Sequence, residues 1–455
     1  MKTAFCPVIL VAAPASGQGK TTVACALARL YSRQGLNVRA FKCGPDFLDP
    51  YWLELASGAA VYQLDLWMTG EADCALRLHD AAQAADLIIV EGVMGLYDGD
   101  PSAADLAQRF GLHVLAVIDA GAMAGTFGAL AHGLQTYRDG LQFTGVLANR
   151  VASVGHAEML KASLRDPQQW QGALMRDAAL TLPERHLGLV MSTELTDAMA
   201  RLDAAADALA TTPLGQMQTD DLHAWDVTFA APESSIAPAK LLAGITIAAA
   251  KDAAFCFIYT ANIDCLRELG AEVVYFSPLN DVELPPCDAL WLPGGYPELH
   301  TQTLSNNLSM VESIRQHILN TKPVWAECGG MMALFDSIET IDGVVHPMWG
   351  LLPGQVTMQK RLAALGPQQM NAFEKSSEFP EAIEPLRPLR GHTFHYSTCT
   401  TNLKPITRTR AAPNKTLRGE GEALYQTGSI RASYFHAWFA SSPAAAARLF
   451  LKEAR

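Results

Sequence analysis

The chain has 455 residues, 49% hydrophobic and 18% charged, enough apolar material for two or three domains with complete cores and too much for one compact fold. A formal net charge of −12, with no segment in which Lys and Arg cluster, excludes a nucleic-acid partner, because phosphate backbones are bound by a local cationic excess. No run of 18 uncharged apolar residues occurs, which excludes a spanning helix. The nine cysteines are odd in number and lack any Cys-x-x-Cys pair, so they fit neither a disulfide framework nor a zinc site.

Residues 8–12 read as a short apolar strand running into Ser16-Gly17-Gln18-Gly19-Lys20-Thr21-Thr22 and then a helix. The start of the chain, with Ala13-Pro14-Ala15 after an apolar stretch, imitates a secretory leader, but cleavage there would strip the loop of its strand. A reducing cytoplasm with buried thiols is expected instead. In the strand–loop–helix context the loop is a phosphate cradle: Gly17 and Gly19 let backbone N–H groups and the positive end of the helix dipole face phosphate oxygens. Lys20 is placed to pair with the β and γ phosphates of ATP and Thr21 to ligate Mg2+, with Thr22 completing the ATP-binding set. Pro14 stands where such loops usually have their first glycine, so the context carries the assignment.

Further strands predicted at 38–41, 87–91, 113–118, 145–151 and 187–191 alternate with helical stretches, which implies a parallel sheet wrapped on both faces. Ligands of such sheets collect at the carboxyl ends of the strands. Asp46 and Asp49 stand there, in Gly44-Pro45-Asp46-Phe47-Leu48-Asp49-Pro50, and so does Glu91, the expected metal ligand. Asp119 also ends a strand but serves equally well as a helix N-cap. Asn149 offers an amide able to read the edge of adenine, with Arg150 beside it.

Residues 203–240, rich in Ala, Asp, Thr, Pro and Ser, read as a linker. The pattern then restarts at 245–250, 273–276, 289–292 and 324–326, a second α/β layer. Residues 365–390, with Pro380, Pro385 and Pro388, show no clear period and read as a surface insertion or a partly mobile loop. In Trp325-Ala326-Glu327-Cys328-Gly329-Gly330 an apolar strand must turn sharply into a helix, which is how a nucleophile elbow exposes its side chain. Hydrolysis of glutamine by Cys328 needs a histidine to take the thiol proton and N–H donors for the oxyanion. His436, closing the last strand before a terminal helix at 443–454, is the expected base, with His392 and His395 as structural or interface groups. The Gly295 N–H, in Pro293-Gly294-Gly295-Tyr296, is the expected oxyanion donor. An ammonia-generating site and an ATP-dependent site on one chain imply a glutamine-dependent amide synthase.

The ordered motifs at residues 16–22, 41–50, 91–99, 182–189, 276–279, 294–298, 326–330 and 391–397 resemble the cobyrinate a,c-diamide synthase family of the corrin pathway, across essentially the whole chain. The resemblance implies an α/β protein of two doubly wound domains. Residues 1–202 would be a dethiobiotin-synthetase-like P-loop ATPase domain, 203–240 the linker, and 241–455 a class I, triad-type glutamine amidotransferase domain with a flavodoxin-like sheet. It also implies the reaction: two acetate carboxylates of cobyrinic acid, or of a related tetrapyrrole acid, are phosphorylated by ATP, and ammonia from L-glutamine displaces the phosphate.

By the same resemblance Asp46, Asp49 and Asp98 position metal, substrate or entering ammonia, Asp46 joining Thr21 and Glu91 at the Mg2+, and Phe47 and Leu48 lie where substrate is recognised. The wider amidotransferase class carries His-x-Glu. Here position 438 is Trp, similar to the corrin-amidating branch, so no local carboxylate orients His436 and glutaminase activity without acceptor should be weak. A homodimer is left open, as are hydrogenobyrinic acid, nickel sirohydrochlorin or the chemistry of cobyric acid synthase. A partitioning-type ATPase would need a second lysine at position 15, where this chain has Ala15.

Overall fold

An almost uninterrupted apolar run makes strand β1 (Ala4–Ala12), in which residues from Cys6 to Ala12 are buried, as a strand covered on both faces requires. This computed structural model describes residues 3–185, 188–231, 238–371, 387–413, 415 and 420–452. The chain divides into two units, Met1–Ser235 and Ile236–Arg455. In the first, a parallel sheet runs in the order β3 (Tyr62–Leu64), β2 (Val38–Cys43), β4 (Leu87–Glu91), β1, β5 (His113–Asp119), β6 (Gln142–Val151) and β7 (Trp170–Met175). Alternation along β1 sends Val8, Leu10 and Ala12 into a core with Leu78, Leu106, Phe127 and Leu160, and Ile9 and Val11 into another with Leu27, Trp52 and Leu202. The period of two thus builds one core on each sheet face.

Two expectations are corrected here. The stretch from 203 to 229 is not a linker. Helix Ala198–Ala210 buries Leu202, Ala205, Ala206 and Leu209, spaced by three and four residues as an amphipathic helix demands. Arg29 and Arg33 of helix α1 (Lys20–Arg33) pair with its Asp203 and Asp207 at 2.6 and 2.8 Å, and strand Asp226–Phe229 then pairs antiparallel with the start of β1. An alanine-rich composition resembled a spacer because alanine marks both linkers and closely packed helices. Secondly, among the described residues the strand expected at 187–191 does not join the sheet: Gly188–Leu189 pairs with Glu184–Arg185, and β7 takes the edge.

The second unit repeats the plan with five parallel strands, Glu272–Phe276, Thr246–Ala250, Ala289–Leu292, Val324–Glu327 and Ile430–Ser433, extended antiparallel by Ala423–Thr427 and Thr407–Arg408. The supposed insertion at 365–390 is framed by paired strands, Ala364–Met370 and Leu389–His395. Its proline-rich middle, 372–386, lies outside the described residues. The terminal helix spans Pro443–Leu449. Among the described residues no helix is long and apolar enough to cross a membrane.

Buried histidines make this unit acid-sensitive. Burial pushes His317 down to about 4 and His392 down to about 3. In the unfolded chain each titrates near 6.5 and takes up its proton first, so the contribution to stability is intact above about pH 6.5 and lost as pH falls through the folded values. For His317 alone the loss is on the order of 3 kcal/mol. Urea unfolding of the full chain between pH 7 and pH 4.5 should show this unit's midpoint falling, and His317→Gln should flatten the fall. A midpoint independent of pH would contradict this.

Candidate functional site

Helix α1 starts at Lys20 because Gly19 takes φ +96°. A Cβ there would lie 2.1 Å from Asn149 Nδ2, so only glycine closes the loop. The loop is braced by the ends of β5 and β6: Asn149 Nδ2 donates to Gln18 O at 2.9 Å, the Asp119 N–H to Gln18 Oε1 at 2.8 Å, and Arg150 Nη1 to Gly17 O at 2.9 Å and Asp119 Oδ2 at 2.6 Å. The Asn149 amide expected to read adenine is thus turned onto the loop backbone. Asp98 receives the Gly95 N–H at 3.0 Å, closing the turn after β4. That turn meets the phosphate loop, where Lys20 Nζ donates to Met94 O at 2.6 Å and to Ala15 O at 3.2 Å.

At the carboxyl ends of β2 and β4 lies a charge cluster. Lys42, 2% exposed, sets its Nζ 2.6 Å from Asp49 Oδ2, 3.1 Å from Glu91 Oε1, 3.3 Å from Asp46 Oδ2 and 3.2 Å from Gly92 O. Burial works to lower this ammonium's pKa, but the carboxylates of Asp49, Glu91 and Asp46 hold it well above the ordinary lysine value. Burial pushes Glu91 up to about 7 against the pull of Lys42, while burial and the neighbouring Lys42 charge lower Lys20. Phe47 and Leu48, expected at the substrate, are buried between the two aspartates.

The Thr21 hydroxyl donates to Glu91 Oε1 at 2.6 Å, and Glu91 Oε2 is enclosed without a hydrogen-bond partner. One hydroxyl and one unsatisfied carboxylate oxygen suit a hard divalent cation that takes its remaining ligands from phosphate and water. Among the described residues no group of three or more His, Cys, Asp or Glu side chains is arranged to hold a metal, and Asp46 is drawn to Lys42 instead.

In the second unit Cys328 leaves its strand with φ +44° and ψ −108°, outside the basins open to L-residues without strain. Its N–H donates to Ser433 O at 2.8 Å. A Cβ on Gly330 would lie 2.0 Å from Leu292 O, and one on Gly329 would lie 2.8 Å from Gly295 N. The elbow therefore closes only with these glycines, and it brings the backbone N of Gly295 against the turn. Burial holds the Cys328 thiol far above its usual range, and the charge of Glu298 adds to this.

The three histidines separate by their contacts. His395 has Nδ1 2.8 Å from Ser397 O and Nε2 3.1 Å from Glu422 Oε1, so both nitrogens are committed. His392 has Nδ1 3.1 Å from Tyr259 OH and stacks on His436 at a centroid distance of 5.1 Å. His436, on strand His436–Trp438, packs so closely on Gly294 that a Cβ there would lie 2.5 Å from its Cε1. Burial holds it well below the ordinary histidine value, and the charges of His392 and His395 act the same way.

Two groups at these sites were passed over in the sequence. Lys42 is a charge in the otherwise buried end of β2, and a lysine inside an apolar strand is a departure that asks for partners. Glu327 precedes Cys328, and its carboxylate lies 3.9 Å from His436 Nδ1, a proximity that 108 intervening positions conceal.

Residues 9–190 match the CobQ/CobB/MinD/ParA nucleotide binding domain, and residues 246–444 match the CobB/CobQ-like glutamine amidotransferase domain. The chain is 53% identical to the hydrogenobyrinate a,c-diamide synthase of Stutzerimonas stutzeri, over 99% of both chains. It is also 53% identical to that of Pseudomonas aeruginosa, over 99% of this chain and 98% of the relative. The cobyrinate a,c-diamide synthase of Herminiimonas arsenicoxydans is 47% identical, over 98% of this chain and 97% of the relative. With both domains matched in order and the identity sustained over the full length, the chain belongs to the family of cobyrinate and hydrogenobyrinate a,c-diamide synthases.

Proposed function

We propose that this chain amidates the a and c acetate carboxylates of a corrin acid, using ATP and glutamine, in cobalamin biosynthesis. The observation that carries the reading is the occurrence, on a chain matched end to end by a,c-diamide synthases, of both a phosphate loop with Thr21 against Glu91 and a strained cysteine elbow. In this reading Gly17, Gly19, Lys20, Thr21 and Thr22 bind the ATP phosphates. Thr21 and Glu91 hold Mg2+, which neutralises phosphate charge when bound. Asp46 and Asp49, gripped by Lys42, position the acceptor carboxylate, with Phe47 and Leu48 shaping its pocket. Asn149 and Asp98 act on the loops, Asn149 by bracing the phosphate loop. Cys328 is the nucleophile, His436 its base and the Gly295 N–H an oxyanion donor.

Cobyrinic acid and hydrogenobyrinic acid present the same two acetates. The names of the two 53% relatives favour the latter. The test follows ADP release and product mass with hydrogenobyrinic acid, cobyrinic acid and nickel sirohydrochlorin, each with Mg2+ and glutamine. Two amides added to a corrin acid, faster with hydrogenobyrinic acid, is the expected result. Amidation of nickel sirohydrochlorin alone would move the assignment, and amidation of none would overturn it.

A further inference from the structure

We propose that Glu327 is the positioning residue of the glutamine site, supplying from the position before the nucleophile the carboxylate that orients His436. The inference rests on the reading of Cys328 and His436 just given. Two residues beyond His436 stands Trp438, fully buried and edge-on to Tyr259 at 5.0 Å, and an indole cannot accept a proton from an imidazole. Glu327 Oε2 lies 3.9 Å from His436 Nδ1, with the two side chains 2% and 1% exposed. The other oxygen, Oε1, accepts from Trp325 Nε1 at 2.7 Å and from the Ala437 N–H at 3.4 Å. The carboxylate is therefore tied to the backbone of the very residue that follows His436, which fixes its place relative to the ring.

A carboxyl group is costly in so apolar a setting, and such a group is normally accounted for by a partner. Trp325 and Ala437 occupy one oxygen, the Trp291 indole also donates toward the carboxyl, and Oε2 lies 3.9 Å from Nδ1. Burial pushes the group up to about 8, a rise that an imidazolium alongside opposes. Among the described residues, the groups facing His436 include Glu327, His392 stacked upon it and the Phe257 ring edge-on at 5.9 Å, with His395 acting from farther off. Glu327 is the acid among them.

When Oε2 accepts the Nδ1 proton, Nε2 keeps its lone pair and can act as base. The Cys328 proton passes to Nε2, the sulfur attacks the glutamine carbonyl, and the C–N bond breaks as that proton goes to the departing ammonia. Water then hydrolyses the thioester to glutamate and the free thiol. Glu327 gains and loses nothing overall. It holds the tautomer and balances the imidazolium, as the aspartate of a Ser-His-Asp triad does. A separation of 3.9 Å closes to a hydrogen bond with a small shift, and catalytic hydrogen bonds commonly tighten when substrate binds.

The full chain is assayed as wild type, Glu327→Gln, Glu327→Asp and Cys328→Ala, for amidation fed by glutamine and by ammonium, and for glutamine hydrolysis against pH. In Glu327→Gln the kcat for glutamine should fall about 10²–10⁴-fold with KM changed less than about threefold, while the ammonium-fed rate persists. The imidazole's apparent pKa in the kcat/KM profile should move downward, because a carboxamide no longer favours its protonated form. Glu327→Asp should recover part of both. Full glutamine turnover in Glu327→Gln overturns the proposal, as does a reduced turnover with the wild-type apparent pKa. Should that variant not fold, Glu327→Asp decides by turnover: its shorter side chain draws the carboxylate away from Nδ1, so the kcat for glutamine should fall while the ammonium-fed rate persists, and an unchanged kcat again overturns the proposal. If Cys328→Ala itself retains glutamine-fed amidation, the underlying reading of the elbow fails.

Discussion

Lys42→Met should abolish ATP-dependent amidation and destabilise the nucleotide-binding unit by about 3–5 kcal/mol. Methionine fills the lysine's volume, so packing is nearly preserved and the effect is electrostatic. What it removes is, among the described residues, the cation that pairs with Asp46, Asp49 and Glu91. Asp46 is half-exposed and can turn to water, whereas the side chains of Asp49 and Glu91 are 16% and 1% exposed and cannot. Breaking a buried cluster from one side leaves the opposite charges unpaired, which costs far more than the intact cluster contributes.

The variant can escape part of the penalty by protonating Glu91, already near 7 with Lys42 present. A carboxyl raised in the folded state binds more protons there than in the unfolded chain. The variant's stability should therefore fall as pH rises from about 5 to 8, the opposite of the histidine effect in the other unit. Activity should drop by about 10²-fold or more, the usual consequence of losing a preorganised charge at a phosphoryl-transfer site. Urea unfolding across pH, with ADP release in parallel, checks both. Wild-type stability in Lys42→Met would show that the cluster is held by something other than its lysine.

Much of this architecture was legible because it depends on local order. Strands at the cores of both units are continuous apolar runs, and glycines at 19, 329 and 330 stand where a turn admits no Cβ. What stayed hidden depends on chain-distant proximity or on ambiguous composition. The helix at 198–210 was disguised by alanine. Asn149 looked like a ligand group because a polar strand terminus says nothing about the direction of its amide, which the fold turns onto Gln18. Lys42 was visible as an anomaly, but its three carboxylates come from two segments of the chain. The Glu327 contact could not be read at all: strand Leu389–His395 first has to lay His436 back against the sheet edge, through the pairing of His392 with His436.

Replacing Cys328 should separate chemistry from backbone strain. Cys328→Ala removes the nucleophile and should reduce glutamine-fed amidation to the background seen without a nitrogen donor, a loss of at least about 10³-fold, with the ammonium-fed rate intact. Its stability should match wild type within about 1 kcal/mol, because alanine inherits φ +44° and ψ −108° along with the enclosing contacts. Cys328→Gly is equally inactive with glutamine but should be more stable than Cys328→Ala. Glycine adopts that conformation freely, which relieves about 1–3 kcal/mol of strain, and it loses about 0.5–1 kcal/mol to the greater freedom of the unfolded chain. The strain term is the larger, leaving a net gain of about 1 kcal/mol. Thermal unfolding of the two variants side by side measures the difference. A glycine variant less stable than the alanine one would mean that the elbow holds its cysteine without strain, and that this backbone conformation costs the fold nothing.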